Sequence, residues 1–536
     1  MQLNNAGLKN KTAWEKAGVK LPAFDQDAII QATKKAPTWV HFGAGNIFRA
    51  FPAALQQKLL EEGTADTGIV VAEGYDYEII DALFKPCDNL SLVVTLKADG
   101  TTEKAVIASV AESLKADYAD KDFARLEEIF RSPSLQMASF TITEKGYALS
   151  SANGVFAPGV EEDFKKGPAA PVSYMGKISA LVFRRYMAGA LPIALVSMDN
   201  CSHNGDRLRE AVLAFAHKWQ EAGHADKGFA AYLQDKAKVG FPWSMIDKIT
   251  PRPDDSVKAM LIADGFEGAE GRMTGKNTYI APFVNAEEAQ YLVIENAFPN
   301  GRPPLEKAGI IFADRETVDK VEKMKVCTCL NPLHTSLAIF GCLLGYTLIS
   351  EEMKNPALVK LIQGIGYVEG LPVVVDPGII SPKKFIDEVI NVRLPNPFMP
   401  DTPQRIACDS SLKIPIRFGE TIKAYLASSS LKMSDLKLIP LVLAAWIRYL
   451  LGVDDQGKTF AVSPDPQYEG IIPNLVGIAL GQKGPFHDAL QPILSNSRFF
   501  GVNLYDAGLG ERVESIFEEL IAAPGAVAQA LKKYTE

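Results

Sequence analysis

Cysteine is scarce, with six residues in 536, at positions 87, 201, 327, 329, 342 and 408. So sparse a set does not make a disulfide framework, and reduced thiols are the expected state. No apolar run reaches the roughly 18–20 residues of a membrane span. The start, Met1-Gln-Leu-Asn-Asn-Ala-Gly7, has no hydrophobic signal core, so a cytoplasmic protein with no membrane partner is expected. Lysine and arginine never gather into blocks and the formal net charge is −8, which argues against nucleic acid as a partner. An anionic substrate would therefore need a local cationic pocket. Internal repeats and low-complexity linkers are missing too. What is present is ordinary globular material, 47% apolar, in a chain too long for one hydrophobic core, so two domains or more are expected.

After a mixed, polar N-terminal extension, Thr38-Trp-Val-His-Phe42 reads as a buried strand. It runs into Gly43-Ala-Gly45-Asn46-Ile47-Phe48-Arg49, and Ala53 to Glu62 then takes helical periodicity. Strand, glycine turn and helix is the arrangement that aims free N–H groups and a helix dipole at a pyrophosphate. The third glycine of the dinucleotide pattern is absent, its place taken by Phe48. The next strand, Gly68 to Ala72, ends in Glu73, where an acid would bind a ribose 2′-hydroxyl and favour NAD over NADP. An ordinary strand-end turn around Glu73 and Asp76 is the competing reading.

Further strands are expected at Ser91–Leu96, Ala138–Thr143 and Leu191–Ser197, giving an α/β, Rossmann-like doubly wound sheet. Ligands sit at the carboxyl ends of such strands, so Thr143, Glu144 and Lys145 should lie near the cofactor. Asp199-Asn200 and Asn204-Gly205 follow the last of these strands. A turn plus helix N-cap accounts for Asn204-Gly205 but less well for Asp199-Asn200. Beyond Lys307 helical periodicity dominates. The expected division is a Rossmann-like dinucleotide-binding domain over 1–310 and a second, mainly α-helical substrate-binding and catalytic domain over 311–536.

Within that second part, Glu322-Lys-Met-Lys325-Val-Cys327-Thr-Cys329-Leu-Asn331-Pro-Leu-His334 sets a lysine, an amide and an imidazole into an apolar pattern. Burying such groups unpaired costs roughly 1–3 kcal/mol each, so they must find partners or a ligand. A substrate site and a core helix satisfied by its own backbone both meet that need. Cys327 and Cys329 are two residues apart, about 200° on a helix, so their thiols face away from one another and no metal is expected. Arg405-Ile-Ala-Cys408-Asp409-Ser410-Ser411-Leu-Lys413-Ile-Pro415-Ile-Arg417-Phe418 reads as a charged loop bounded by prolines. Loops that gather charge tend to be functional, although a solvated loop with a surface salt bridge is the plainer reading.

With these motifs in order from Val40 to Arg417, the chain resembles the polyol-specific long-chain dehydrogenase/reductases, the mannitol dehydrogenase family. The likeness rests on Gly43, Gly45 and Arg49; on Thr143-Glu-Lys-Gly-Tyr147; on Asp199-Asn200 with Asn204-Gly205; and on Ile246-Asp247-Lys-Ile-Thr-Pro251. It continues through the Lys325, Asn331 and His334 helix and Arg405 with Ser410-Ser411 and Lys413. The resemblance implies a zinc-independent enzyme that uses NAD on a small-molecule sugar acid or polyol, as a monomer or small homo-oligomer. It implies Lys325 as general acid/base, Asn200 and Asn331 as an oxyanion-hole pair, and His334 positioning the substrate. Arg405 and Lys413 would contact distal substrate groups, Asp247 would line the site, and Glu322 would stand beside Lys325 on a proton path. The cations Arg405, Lys413 and Arg417 suit a carboxylate. That favours interconversion of D-fructuronate and D-mannonate, with tagaturonate reduction or mannitol oxidation as alternatives and a non-catalytic dinucleotide-binding sensor as a remote one.

One departure from the family pattern has a structural consequence. Five residues separate Lys325 from Asn331, where the family has four. On a regular α-helix the nine-residue step to His334 is a rotation of about 900°, which leaves Lys325 and His334 on opposite faces; a step of eight would leave them about 80° apart. A one-residue π-bulge would absorb the difference, and Pro332 disfavours regular geometry at Asn331. An irregular helix between Lys325 and Pro332 is therefore expected; a regular one would make Lys323 the rival base.

Overall fold

A computed structural model describes residues 1–151 and 153–536. The chain divides into two compact units, residues 1–96 with 101–319, and residues 97–100 with 320–536.

The first unit is built on six parallel strands: β1 (Trp39–Phe42), β2 (Ile69–Glu73), β3 (Val110–Lys115), β4 (Met137–Phe140), β5 (Ile193–Ser197) and β6 (Val239–Gly240). Their order across the sheet is β3-β2-β1-β4-β5-β6, the doubly wound arrangement whose direction of winding reverses between β1 and β4. Every residue of β1, β2 and β5 is buried, as expected of a parallel sheet covered on both faces. Alternation along β1 divides its side chains. Val40 and Phe42 join one core with Phe130, Leu181 and Trp219, and Trp39 joins the other with Leu59, Val71 and Val196.

Ser91–Leu96 is a strand but not one of this sheet. It pairs antiparallel with Thr102–Ile107 in a separate four-stranded sheet completed by Val19–Lys20 and Phe283–Glu287. The connection over 97–101 is too short for a parallel crossover, which needs about a dozen residues, so the chain returns as a hairpin. The third place in the parallel sheet falls to β3, whose Val-Ala-Glu-Ser-Leu-Lys sequence carries a weaker apolar signal. The expected strand over 138–143 also ends early, at Phe140. Thr143 has φ +63° and opens a five-residue helix, Thr143–Tyr147.

The second unit is helical. Asn331–Leu344 and Leu438–Leu450 form its interior, the latter buried at all thirteen positions. Arg315–Leu344 is one 30-residue helical run, long and apolar enough to cross a membrane by length and composition, which corrects the expectation that nothing reaches that length. Its apolar window is 72% buried inside the protein. The stretch read as a charged loop is helical as well: Pro403–Ile406, Ser410–Ile414, a π turn over Pro415–Gly419, then Glu420–Ala427. Pro403 and Pro415 stand in the first turn of their elements, where a missing N–H costs no hydrogen bond.

The step between Lys325 and Asn331 is taken by a π turn over Lys325–Cys329, closed by Leu330 N donating to Lys325 O at 3.1 Å. Two other π turns, Gly364–Gly370 and Pro415–Gly419, pack against it. A Cβ at Gly370 would lie 2.8 Å from Thr328 Cγ2 and 3.0 Å from Ile365 O, so the turns approach at a distance only glycine permits. Gly370→Ala is therefore expected to lower the unfolding free energy by about 1–3 kcal/mol in urea titrations, the usual scale of overpacking. An unchanged midpoint would mean that the turns can separate without cost.

Candidate active site

The glycine turn and the strand ends singled out in the sequence belong to the first unit. β1 ends in a turn through Gly43, at φ +105°, where a Cβ would collide with Thr141 O. Only glycine lets the chain pass the end of β4 this closely. Gly43 N donates to Ala72 O at 2.9 Å, and Ala44 N donates to Glu73 Oε2 at 2.9 Å. The other carboxylate oxygen of Glu73 accepts from Tyr75 N at 2.8 Å and Asp76 N at 3.2 Å. Glu73, 6% exposed, thus clasps the glycine turn to the end of β2, a task the sequence did not reveal. Gly45 caps helix Asn46–Ala50 without a side-chain hydrogen bond, and a Cβ placed on it meets nothing within 4 Å. Uncapped N–H groups beside open space fit a pyrophosphate.

Phe48 and Arg49 turn their side chains inward, which leaves their backbone N–H groups as the part of them that a ligand could meet. Phe48 stacks on His41 at 4.4 Å between ring centroids, and burial lowers the His41 imidazole to about 3, hence neutral. Ser139 Oγ and Thr141 Oγ1 hold the two ring nitrogens of His41. Arg49 is 1% exposed; it donates to Ala281 O at 2.9 Å and Asn46 Oδ1 at 2.8 Å, and burial pushes its guanidinium down to about 9. Ile47 is half-buried beside them.

At the carboxyl ends of β4 and β5, Thr143, Glu144 and Lys145 are exposed, and Asn200 is exposed next to them in the chain's polar turn. Asp199 organises this edge. Its carboxylate accepts from Ile142 N and Thr143 N, both at 2.9 Å, and from Tyr147 Oη, while burial raises its pKa. Glu144 pairs with Arg207 at 3.0 Å. Asn204-Gly205 is not a turn but the first turn of the helix Asn204–Glu221. The buried Asn204 amide donates to Asp199 O and Ser244 O and accepts from Ser244 N, tying the polar turn to the strand Ser244–Asp247. A Cβ on Gly205 would sit 2.6 Å from Pro242 O, so this close approach requires glycine. Asp247, 7% exposed, ends the strand.

Lys325, Asn331 and His334 belong to the second unit. Lys325 is 4% exposed at the start of its π turn, whereas Lys323 is exposed, so the buried lysine is the better placed of the two for chemistry away from bulk water. Glu322 is half-buried one helical turn before Lys325. Asn331 opens the next helix with Pro332 behind it, and its carbonyl accepts from Thr335 Oγ1 at 2.8 Å. His334 Nε2 lies 3.4 Å from Asp401 Oδ2, and Arg405 pairs with the other oxygen of Asp401. Burial, abetted by Arg417 and Arg405, lowers the His334 pKa against the opposing pull of Asp401. The ring is thus neutral at pH 7, fixed by a carboxylate that the sequence analysis missed. Burial alone would raise the Asp401 carboxyl, but His334 and Arg405 outweigh it and hold it below the usual range.

Lys413 donates to Ile406 O and Cys408 O, and burial followed by the charge of Arg417 lowers its pKa. Arg417 donates to Thr335 Oγ1, and burial brings it to about 10. Ser410 and Ser411 are committed to Asp465, and Ser410 also to Trp446, so they brace the fold. Cys329 is buried, its thiol pushed up to about 12, and Cys327 is half-buried. Among the described residues no group of three or more His, Cys, Asp or Glu side chains is placed to hold a metal ion.

Two outcomes are expected from the supports. Glu73→Gln, with one oxygen for donors on two sides, should weaken NADH binding about 10–100-fold by fluorescence titration, the worth of a charged hydrogen bond. Asp401→Asn should leave NADH binding intact and lower kcat/KM about 100-fold by misorienting His334. Equal loss of both quantities in either variant would show that the carboxylate serves folding instead.

The Mannitol dehydrogenase Rossmann domain matches residues 37–307, and the Mannitol dehydrogenase C-terminal domain matches residues 317–521. The chain is 55% identical over 535 residues to D-mannonate oxidoreductase of Thermotoga maritima, covering 99% of each. It is 31% identical to mannitol 2-dehydrogenase of Pyrenophora tritici-repentis, over 86% of this chain and 76% of that one. Among solved structures, Pseudomonas fluorescens mannitol 2-dehydrogenase in a ternary complex with NAD and D-mannitol superposes with TM-score 0.69 at 27% identity, over 99% of both chains. Substrate-free D-sorbitol dehydrogenase does so with TM-score 0.78 at 25% identity, over 97% of this chain and 98% of that one. The Rossmann-type sheet and the helical second unit are those of these dehydrogenases, and the chain belongs to the mannitol dehydrogenase family.

Proposed function

We propose that this protein interconverts D-mannonate and D-fructuronate with NAD as the hydride carrier. The observation that carries the reading is the 55% identity, over 99% of both chains, to a D-mannonate oxidoreductase. The cationic chemistry around His334 agrees with a substrate that bears a carboxylate.

When bound, a nicotinamide cofactor supplies or accepts the hydride; Gly43, Gly45 and the first N–H groups of Asn46–Ala50 would seat its pyrophosphate. Thr143, Glu144 and Lys145 lie at the strand ends where a cofactor passes. The acid Glu73 at the end of β2 disfavours a 2′-phosphate, which supports NAD over NADP. A ketone that takes a hydride develops alkoxide charge, and the amides of Asn200 and Asn331 are the donors assigned to it. Lys325 gives the proton in reduction and takes it in oxidation, with Glu322 passing it onward to water. His334, neutral and held by Asp401, presents its other ring nitrogen to a substrate hydroxyl. Arg405 and Lys413 would contact distal hydroxyls of the substrate, and Asp247 would line the site.

The 31% identity to a mannitol 2-dehydrogenase keeps ketose reduction as the second reading. NADH oxidation should be followed with D-fructuronate, D-tagaturonate and D-fructose, on wild type and on Lys325→Ala. Turnover of fructuronate is expected to dominate, and kcat to fall about 10²–10⁴-fold in the variant, the range for one general acid/base. Preference for fructose would replace the uronate reading with a polyol dehydrogenase. A fully active Lys325→Ala would move the acid to another residue, Lys323 first.

A further inference from the structure

Three cations stand near the helix Asn331–Leu344 in the second unit, and their partners differ in kind. Arg405 pairs with the Asp401 carboxylate and its side chain is 65% exposed, so its charge is already matched. Lys413 is satisfied by two backbone carbonyls. Arg417 has neither arrangement. Its one hydrogen bond among the described residues runs from Nη1 to the Thr335 hydroxyl, and none of them brings a carboxylate within ion-pair distance of it.

A guanidinium withdrawn from water without a counter-charge is costly, and the cost is offset when a ligand brings the missing anion. Arg417 is withdrawn enough for burial to lower its pKa to about 10, yet the residue stays partly accessible, so a small anion can reach it. With Nη1 engaged, Nε and Nη2 remain as the planar edge that meets a carboxylate with two parallel hydrogen bonds.

The location adds a second argument. Thr335 follows His334 directly, and its hydroxyl hydrogen is given to Asn331 O at 2.8 Å, which leaves its oxygen to accept from Arg417. Arg417 is thus joined through one hydroxyl to the turn that carries Asn331 and His334. Its own π turn, Pro415–Gly419, packs against the π turn of Lys325.

We propose that Arg417 receives the substrate carboxylate and is the residue by which this site separates sugar acids from neutral polyols. The proposal rests on the sugar-acid reading given above. It assigns Arg405 chiefly to holding Asp401, and through it His334.

The test compares oxidation of D-mannonate with that of D-mannonamide, the same carbon chain ending in a neutral amide, by wild type, Arg417→Gln and Arg417→Lys. Wild type should prefer the acid. Arg417→Gln should lower kcat/KM for mannonate about 100-fold, through KM, while the amide changes by less than about 3-fold, the pattern of a charge pair lost at one contact. Arg417→Lys should recover part of the preference, since a point charge replaces the fork. An acid preference that survives Arg417→Gln overturns the assignment, as does an equal fall for both substrates or loss of NADH binding in both variants, either of which marks a structural role. A wild type that oxidises mannitol and not mannonate overturns the sugar-acid reading itself and the assignment with it.

Discussion

On a regular α-helix the six-residue step from Lys325 to Asn331 is a rotation of about 600°, which would turn the two side chains about 120° apart. The π turn over Lys325–Cys329 resolves this, and much of the second unit is arranged to hold it. A widened turn makes a looser backbone hydrogen bond and persists only where its surroundings fix it. Here two other π turns pack on it, Gly370 lets Thr328 approach closely, and Leu333 lies near Gly366. The support continues outward. Glu369, in one of those turns, accepts backbone N–H bonds from Lys437, Leu438 and Ile439, and so caps the start of the buried helix Leu438–Leu450 with a carboxylate. The distortion at Lys325 is thereby connected to the most deeply buried element of the unit.

The parts of this arrangement that were legible in the sequence are those with a local signature. The β1 strand, the glycine turn and the end of β2 follow from periodicity and from residues that few other contexts require. The irregular step at Lys325 followed from the one extra residue relative to the family spacing, together with Pro332. What stayed hidden were partners brought in from elsewhere in the chain. Asp401, 67 residues beyond His334 by number, fixes the imidazole, and nothing in its proline-flanked surroundings announces it. Proline misled in the same region, because Pro403 and Pro415 begin helical elements where they had been read as bounding a loop. Asn204-Gly205 misled similarly. Its residue types favour turns, but tertiary hydrogen bonds to Ser244 recruit the asparagine into a helix start.

Glu73 and Asp199 illustrate a general feature of the first unit. Both are acids at the ends of parallel strands, where sequence patterns assign acids to ligands, and both are engaged by backbone N–H groups of the neighbouring loop. A glycine-rich turn has little side-chain packing to hold it, so its position depends on such bonds. An acid at either strand end thus fixes the loop that follows the strand.

Charge is managed differently along the helix Asn331–Leu344. At its far end Gly341 leaves room for Glu352, a fully buried carboxyl without a hydrogen-bond partner among the described residues, which burial pushes up to about 9. Cys342 beside it is raised to about 12, so both are neutral at pH 7. Asp401 lies near the start of the same helix and is also largely withdrawn from water, yet it keeps its charge because His334 and Arg405 meet it. Burial acts on both acids in the same direction; partners alone decide which is ionised. At the end that carries His334, by contrast, charge is kept by pairing: Asp401 stays ionised between His334 and Arg405, and Arg417 is held by the Thr335 hydroxyl.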